Sequence, residues 1–321
     1  YTMKTLSFKN GDQMPILGLG TWQSKPGEVY KAVLKAIEIG YRHFDCAYIY
    51  KNEKEIGDAF TKAFADGLVK REDIWVASKL WNDSHRPENV KPALERTLKD
   101  LQLDYLDLYL VHWPLALKHG VEFPESNEDF ESLEDIPLGT TWREMEKLIE
   151  SGKVKHIGVS NFKINKLKEI LASAKVKPEM NQVEMHPFLP QHGLVEFCKN
   201  ESIHLTAYAP LGAAYRTKGE TGLDLPVLLE NDTVQTIAKA HNASPAQVVL
   251  AWGMARDTAV IPKSVNPVRI EENYDSIMLK LGQDELAKLD ELEGPHRFTD
   301  GKLWTLHDSP YEFSDFWEEF N

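Results

Sequence analysis

Short apolar runs alternate along this chain with longer segments whose apolar residues return every three or four positions, the rhythm of strands that are each followed by a helix. The runs at 16–19, 42–45, 74–78, 106–111, 156–160, 180–183, 204–208 and 259–261 predict eight strands. Between them, Ile56, Ala59, Phe60, Ala63 and Phe64 form one helical stripe, which Gly67 is placed to end. Val90, Ala93, Leu94, Thr97, Leu98 and Leu101 form another, in which Pro92 has to sit in the first turn or kink the helix. Val234, Ile237, Ala238 and His241 mark a third, and Ser244, Pro245 and Gln247 match a capping box that opens a fourth. Residues 5–14 read as a hairpin about Asn10-Gly11-Asp12 that plugs one end of the sheet. The predicted fold is a (β/α)8 TIM barrel, a single domain over residues 1–321, with an N-terminal β-hairpin. Three stretches break the rhythm, at 114–138, 213–226 and beyond Gly294, and are expected to be long loops on the face where the strands end.

The ends of the predicted strands carry the chemistry. Asp45 and Tyr50 follow the second strand, Lys79 the third and His112 the fourth, so a parallel barrel would bring them together. A carbonyl that accepts a hydride develops negative charge on oxygen and needs a proton donor and an oriented hydrogen bond. Tyr50 suits the first role. An adjacent Lys79 ammonium, held by Asp45, is expected to bring the phenol down toward working pH. A neutral His112 suits the second role, with Trp22, Trp81 and Trp113 as apolar walls. Each residue alone has a plainer explanation: a capping aspartate, a solvated lysine, a satisfied core histidine, packing tryptophans. Placement at three successive strand ends favours the joint explanation.

Composition narrows the field. A formal charge of -13 over 321 residues offers no electrostatic footprint for nucleic acid. Two cysteines, Cys46 and Cys198, are too few for a disulfide framework or a four-ligand zinc site, and suit a reducing cytosol. No run approaches the ~18 apolar residues of a membrane span. The opening residues lack a signal peptide's apolar core, and Tyr1-Thr2 ahead of Met3 read as a cloning remnant. A cytoplasmic protein, monomer or weak dimer, without membrane or nucleic-acid partners is expected.

A dinucleotide fingerprint is missing, since Gly18-Leu19-Gly20 supplies only its first half. Instead Lys263, Ser264 and Arg269 cluster where the eighth predicted strand passes into a helix start, a place where barrels bind phosphate. A basic loop that merely caps a helix is the alternative.

The run from Gly40-Tyr41-Arg42-His43-Phe44-Asp45 through Glu53 to Ile56-Gly57 resembles the signature of the aldo-keto reductases. Ala77-Ser78-Lys79-Leu80-Trp81-Asn82, Val111-His112-Trp113-Pro114, Gly158-Val159-Ser160-Asn161, Asn181-Gln182-Val183-Glu184 and Ile261-Pro262-Lys263-Ser264 match in order. The likeness is greatest to the aldose, aldehyde and xylose reductase branch. It implies Tyr50 as acid, Lys79 and Asp45 as its tuners and His112 as orienter of a small-molecule carbonyl substrate. It also implies that Ser160, Asn161 and Gln182 hold the nicotinamide carboxamide and that Tyr208 stacks on the ring. Thr21, Trp22, Asp45 and Leu211 would line the cofactor cavity. Lys263, Ser264, Asn266 and Arg269 would hold an adenosine 2′-phosphate, with Glu272 and Asn273 at the adenine, so NADPH is the expected cofactor. Trp22, Trp81, His112, Trp113, Leu303 and Trp304 would border substrate. Two departures stand out. Ala209 and the Ala213-Ala214-Tyr215 stretch lack the serine and aspartate that commonly clamp the diphosphate, and Asn266 resembles xylose reductases that also accept NADH.

Glu184, His186, His192 and His204 straddle a predicted strand and helix, so no metal site is expected. Cys46 reads as a buried thiol rather than a redox sensor. Two rivals remain: a catalytically weak NADP(H)-binding regulatory or structural protein of the same fold, and a barrel glycoside hydrolase, for which the required pair of carboxylates is missing.

Overall fold

The computed structural model describes residues 2–213 and 224–320, so Tyr1 and most of the 213–226 stretch, including Ala214 and Tyr215, lie outside the described residues. Eight parallel strands form one curled sheet: β3 (Leu19–Gly20), β4 (His43–Asp45), β5 (Trp75–Leu80), β6 (Leu106–Val111), β9 (Val154–Ser160), β10 (Met180–Glu184), β11 (His204–Tyr208) and β12 (Ala259–Val260), adjacent in that order. Every residue of β5 and β6 is buried, as expected of strands with side chains on one face and helices on the other. The order agrees with the predicted (β/α)8 barrel.

Closure of the ring depends on a glycine. Parallel bridges join Leu17 to Val260 and Gly20 to Lys263, and the Gly20 amide donates to the Pro262 carbonyl at 3.1 Å. A Cβ on Gly20 would stand 2.6 Å from the Ile261 carbonyl oxygen, closer than a real side chain can approach. The Gly18-Leu19-Gly20 run therefore serves the first strand's approach to the last.

The hairpin of β1 (Thr5–Ser7) and β2 (Gln13–Pro15) turns through Gly11 at φ 93 and caps the end where the strands begin. Phe8 from its turn packs on Trp75, His156 and His204 at 4.9, 4.6 and 4.9 Å between ring centres. His156, itself buried, bonds Glu179 and Asp12 at 2.8 Å each and so ties the plug to the barrel.

Helix α2 (Glu53–Ala65) buries Ile56, Ala59, Phe60 and Ala63 and ends ahead of Gly67 at φ 70, as the stripe predicts. In α3 (Pro87–Leu101), Pro87 takes the first position and Pro92 lies inside the helix, beyond the first turn. The Ser244–Gln247 capping box is formed, with the Gln247 amide donating to Ser244 Oγ at 3.2 Å at the head of α8 (Pro245–Ala255). The 114–138 stretch folds into an antiparallel pair, β7 (Ala116–Leu117) and β8 (Phe130–Glu131). The tail packs against it: Tyr311 Oη accepts from the Ala116 amide at 3.0 Å and donates to the Glu131 carbonyl at 2.6 Å. Among the described residues no helix is long and apolar enough to cross a membrane.

Candidate active site

Asp45 closes β4, Lys79 is the fifth residue of β5, His112 directly follows β6, and Tyr50 ends a single 3-10 turn after β4. The in-register pairing of β4 with β5 and β5 with β6 brings these positions to one end of the barrel. The Lys79 side chain is fully buried there, and each of its three N–H donors has an acceptor. Nζ stands 2.7 Å from Asp45 Oδ2, 2.8 Å from the Cys46 carbonyl and 3.4 Å from Tyr50 Oη. Because Tyr50 accepts from Lys79, its own hydroxyl hydrogen is free to point elsewhere. Thr21 Oγ1 donates to the Asp45 carbonyl and Gln182 Nε2 to Asp45 Oδ1, at 2.7 and 2.8 Å, so the carboxylate cannot swing away from the lysine.

The electrostatics correct one expectation. Burial pushes the Tyr50 phenol up to about 12, and the Lys79 charge, which opposes this, only partly offsets it. Lys79 does not bring the phenol down toward neutrality; the phenol is held fully protonated, and the ammonium limits how far burial raises it. Burial disfavours the Lys79 charge in turn, but Asp45 and Tyr50 outweigh it, so the ammonium is more firmly protonated than an ordinary lysine. Burial and the nearby Lys79 charge both push His112 well below its usual range, which keeps it neutral. Its Nδ1 is buried without a partner. An orphan acceptor costs less than an orphan N–H, which assigns the proton to Nε2.

These groups open on a cavity of about 920 Å³. Trp22, Trp81, Trp113, Leu303 and Trp304 wall one part of it. The Trp81 and Trp304 rings meet at 5.7 Å, and Trp81 lies edge-on to His112 at 5.1 Å. Phe123, which the sequence did not single out, completes this wall against Trp81 and Trp304 at 5.7 and 6.4 Å. Its only signal was its position as an aromatic residue inside the insertion at 114–138.

The cavity continues past Thr21, Ser160, Asn161, Gln182, Tyr208 and Leu211. Asn161, at φ 62, donates through Nδ2 to the His112 carbonyl and accepts from Tyr208 Oη at 2.6 Å, which links the two halves of the pocket. Lys263, Ser264, Asn266, Arg269, Glu272 and Asn273 line the far end. There Asn266 caps α9 (Pro267–Asp275), its Oδ1 accepting from the amides of Val268 and Arg269 at 2.9 and 3.3 Å. Among the described residues neither Lys263 nor Arg269 is in an ion pair, and burial pushes the Lys263 ammonium down with Glu28 opposing. Two cations without an ion-pair partner beside a helix N-terminus fit an anionic group.

The remaining candidates fall elsewhere. His186 bonds Glu184 at 2.8 Å, whereas His204 bonds the Ser7 carbonyl and His192 lies beside Arg256. Among the described residues no three potential ligands converge on a metal position. Cys46 is buried, and burial with the Glu53 and Asp45 charges raises its thiol.

Comparison with known proteins accords with this geometry. The aldo/keto reductase family model matches residues 16–293. An aldo/keto reductase of Synechocystis sp. is 46% identical over 99% of this chain and 97% of its own length. The aldo-keto reductase family 1 member A1 of Gallus gallus is 44% identical over 90% of this chain and 88% of its own. A solved aldose reductase from Schistosoma japonicum superposes with a TM-score of 0.86 at 44% identity, covering 94% of this chain and 96% of that one.

Proposed function

The chain belongs to the aldo/keto reductase family and is an NAD(P)H-dependent oxidoreductase, and from that premise we propose that it reduces aldehydes, aldoses among them, and small ketones to alcohols with NADPH as the preferred donor. The observation that carries this reading is the fully bonded Lys79 ammonium, 3.4 Å from a phenol whose hydroxyl hydrogen it leaves free, at the floor of an aromatic-walled cavity. The bound nicotinamide supplies the hydride. Neutral His112 orients the substrate carbonyl through Nε2–H, and Tyr50 gives its proton to the carbonyl oxygen as charge builds there. Lys79, positioned by Asp45, stabilises the phenolate that remains. Water excluded by Trp22, Trp81, Trp113, Phe123 and Trp304 makes these dipoles more effective.

On this reading Ser160, Asn161 and Gln182, which line the cavity, would hold the carboxamide, with Tyr208 as the stacking ring. The cationic end at Lys263 and Arg269 suits a 2′-phosphate, which is the reason for preferring NADPH; Asn266 already spends its oxygen on the helix cap and leaves only its amide N–H groups for the ligand. NADH remains a second donor on this reading. We also take residues 1–321 as one domain built round the site, and its two buried free thiols as suited to the cytosol. Tyr50→Phe removes the transferred proton and little surface, so kcat should fall about 10²- to 10⁴-fold with NADPH affinity unchanged. Normal turnover of an aromatic aldehyde by that variant refutes the assignment.

A further inference from the structure

Part of the pocket wall comes from a tail that begins after the 16–293 segment matched to the family. Thr299, Gly301, Leu303 and Trp304 all line the cavity. Residues 294–312 have almost no regular structure to hold them, only a 3-10 turn at Lys302–Thr305. What fixes the start of this wall is a buried carboxylate of the barrel. Glu184, the last residue of β10, accepts the Phe298 amide on Oε2 at 2.9 Å and the Thr299 amide on Oε1 at 2.7 Å. His186 Nε2 donates to the same Oε2 at 2.8 Å, and both side chains are completely enclosed. The Phe298 ring lies edge-on to His186 at 5.3 Å.

Immediately beyond the pinned amides, the Asp300 carbonyl accepts from Trp317 Nε1 at 2.6 Å, and Gly301 turns at φ 74 to present Leu303 and Trp304. The pin and the pocket wall are thus separated by a few residues of tightly turned chain. A carboxylate is needed because two adjacent amides and an imidazole N–H converge on its two oxygens. A carboxamide in its place turns one NH2 toward a backbone N–H and loses that bond.

We propose that Glu184 is a specificity-positioning residue: without touching substrate, it sets where residues 299–304 stand and hence which carbonyl compounds the pocket admits. This rests on the reductase reading above. The class it favours is aromatic and other bulky apolar aldehydes, which need the Leu303 and Trp304 surface, over small hydroxylated aldehydes, which react at Tyr50 and His112 without reaching that wall.

The test is steady-state kinetics of Glu184→Gln with 4-nitrobenzaldehyde and with glyceraldehyde, alongside wild type and Tyr50→Phe. KM for the aromatic aldehyde should rise about tenfold, with KM for glyceraldehyde, both kcat values and NADPH affinity within about threefold of wild type. A folded Glu184→Gln that changes both KM values equally, or neither, overturns the proposal. Should Glu184→Gln not fold, Glu184→Asp keeps the charge but draws the carboxylate back by one methylene from the Phe298 and Thr299 amides. It must then show the same split in smaller measure, and no split overturns the proposal equally. Wild type inactive on both aldehydes would instead condemn the reductase reading, and wild type active with Tyr50→Phe dead would leave that reading standing whatever Glu184→Gln does.

Discussion

Glu53 offers a direct measure of how much the enclosure behind the site costs an ionised group. It is the first residue of α2 and only 3% exposed. Its Oε2 accepts from Ser78 Oγ at 2.7 Å and its Oε1 from Thr97 Oγ1 at 2.9 Å, so it binds the helix start to β5 one residue before Lys79. Burial raises this carboxyl to about 7 from 4.5; the two hydroxyls and Lys79 oppose the rise, and Asp100 adds to it. In the unfolded chain it titrates near the ordinary value. Between those limits the native state binds the proton that the unfolded state releases, so stability falls as pH rises. The contribution is fully present below about pH 4.5 and lost by the time pH passes about 7. A shift of this size at 1.36 kcal/mol per unit amounts to about 3 kcal/mol. Glu53→Gln mimics the protonated form, since its carbonyl accepts from one hydroxyl and its NH2 donates to the other. Urea melts of both proteins from pH 4.5 to 8 should show the variant gaining about 3 kcal/mol relative to wild type across the window, other titrating groups cancelling in the difference. Parallel stability curves would refute the argument that desolvation governs this carboxyl.

Two further outcomes are expected. Lys263→Ala combined with Arg269→Ala should weaken NADPH by about 100-fold or more while changing NADH little, since each charge-assisted contact to a phosphate is worth about 1.5–3 kcal/mol; equal losses in fluorescence titrations with the two nucleotides contradict the phosphate assignment. At the other end of the barrel, burial disfavours the His156 charge but the bonds to Glu179 and Asp12 outweigh it and raise its pKa. That stabilisation is present below the unfolded value near 6.5 and is lost as pH rises through the higher folded value. His156→Asn should therefore cost about 3 kcal/mol at pH 6 and less at pH 9, and thermal melts showing the same deficit at both pH values would contradict it.

What was legible in the sequence follows from how each feature is encoded. The strands could be read because parallel strands covered on both faces leave continuous apolar runs, and β6 and β11 came out with the predicted bounds. Lys79 stood out for the same reason, as a cation at the end of such a run. Boundaries suffered where pairing rather than composition decides: the first strand was expected at 16–19, but its ladder forms at Leu19–Gly20, where a missing Cβ allows contact with Ile261. Phe123 escaped notice because an insertion has no period to say which way a ring faces.

Two other gaps share a cause. Glu184 was named only within a metal cluster that the sequence argued against, and its bonds to the backbone amides of Phe298 and Thr299, which carry no side-chain signature, went unseen. Tyr50 was expected to fall toward neutrality because its charged neighbours Lys79 and Asp45 are visible as residues, whereas the burial that raises it is not. Charge is a property of named residues and can be read from a string of them. Desolvation belongs to the whole enclosure, here built from the ends of the barrel strands, an insertion and a tail, and in this pocket it is the larger influence on the phenol. The acid is accordingly a fully protonated phenol whose conjugate base is supported by Lys79 once the proton has gone, rather than a phenol already close to ionising.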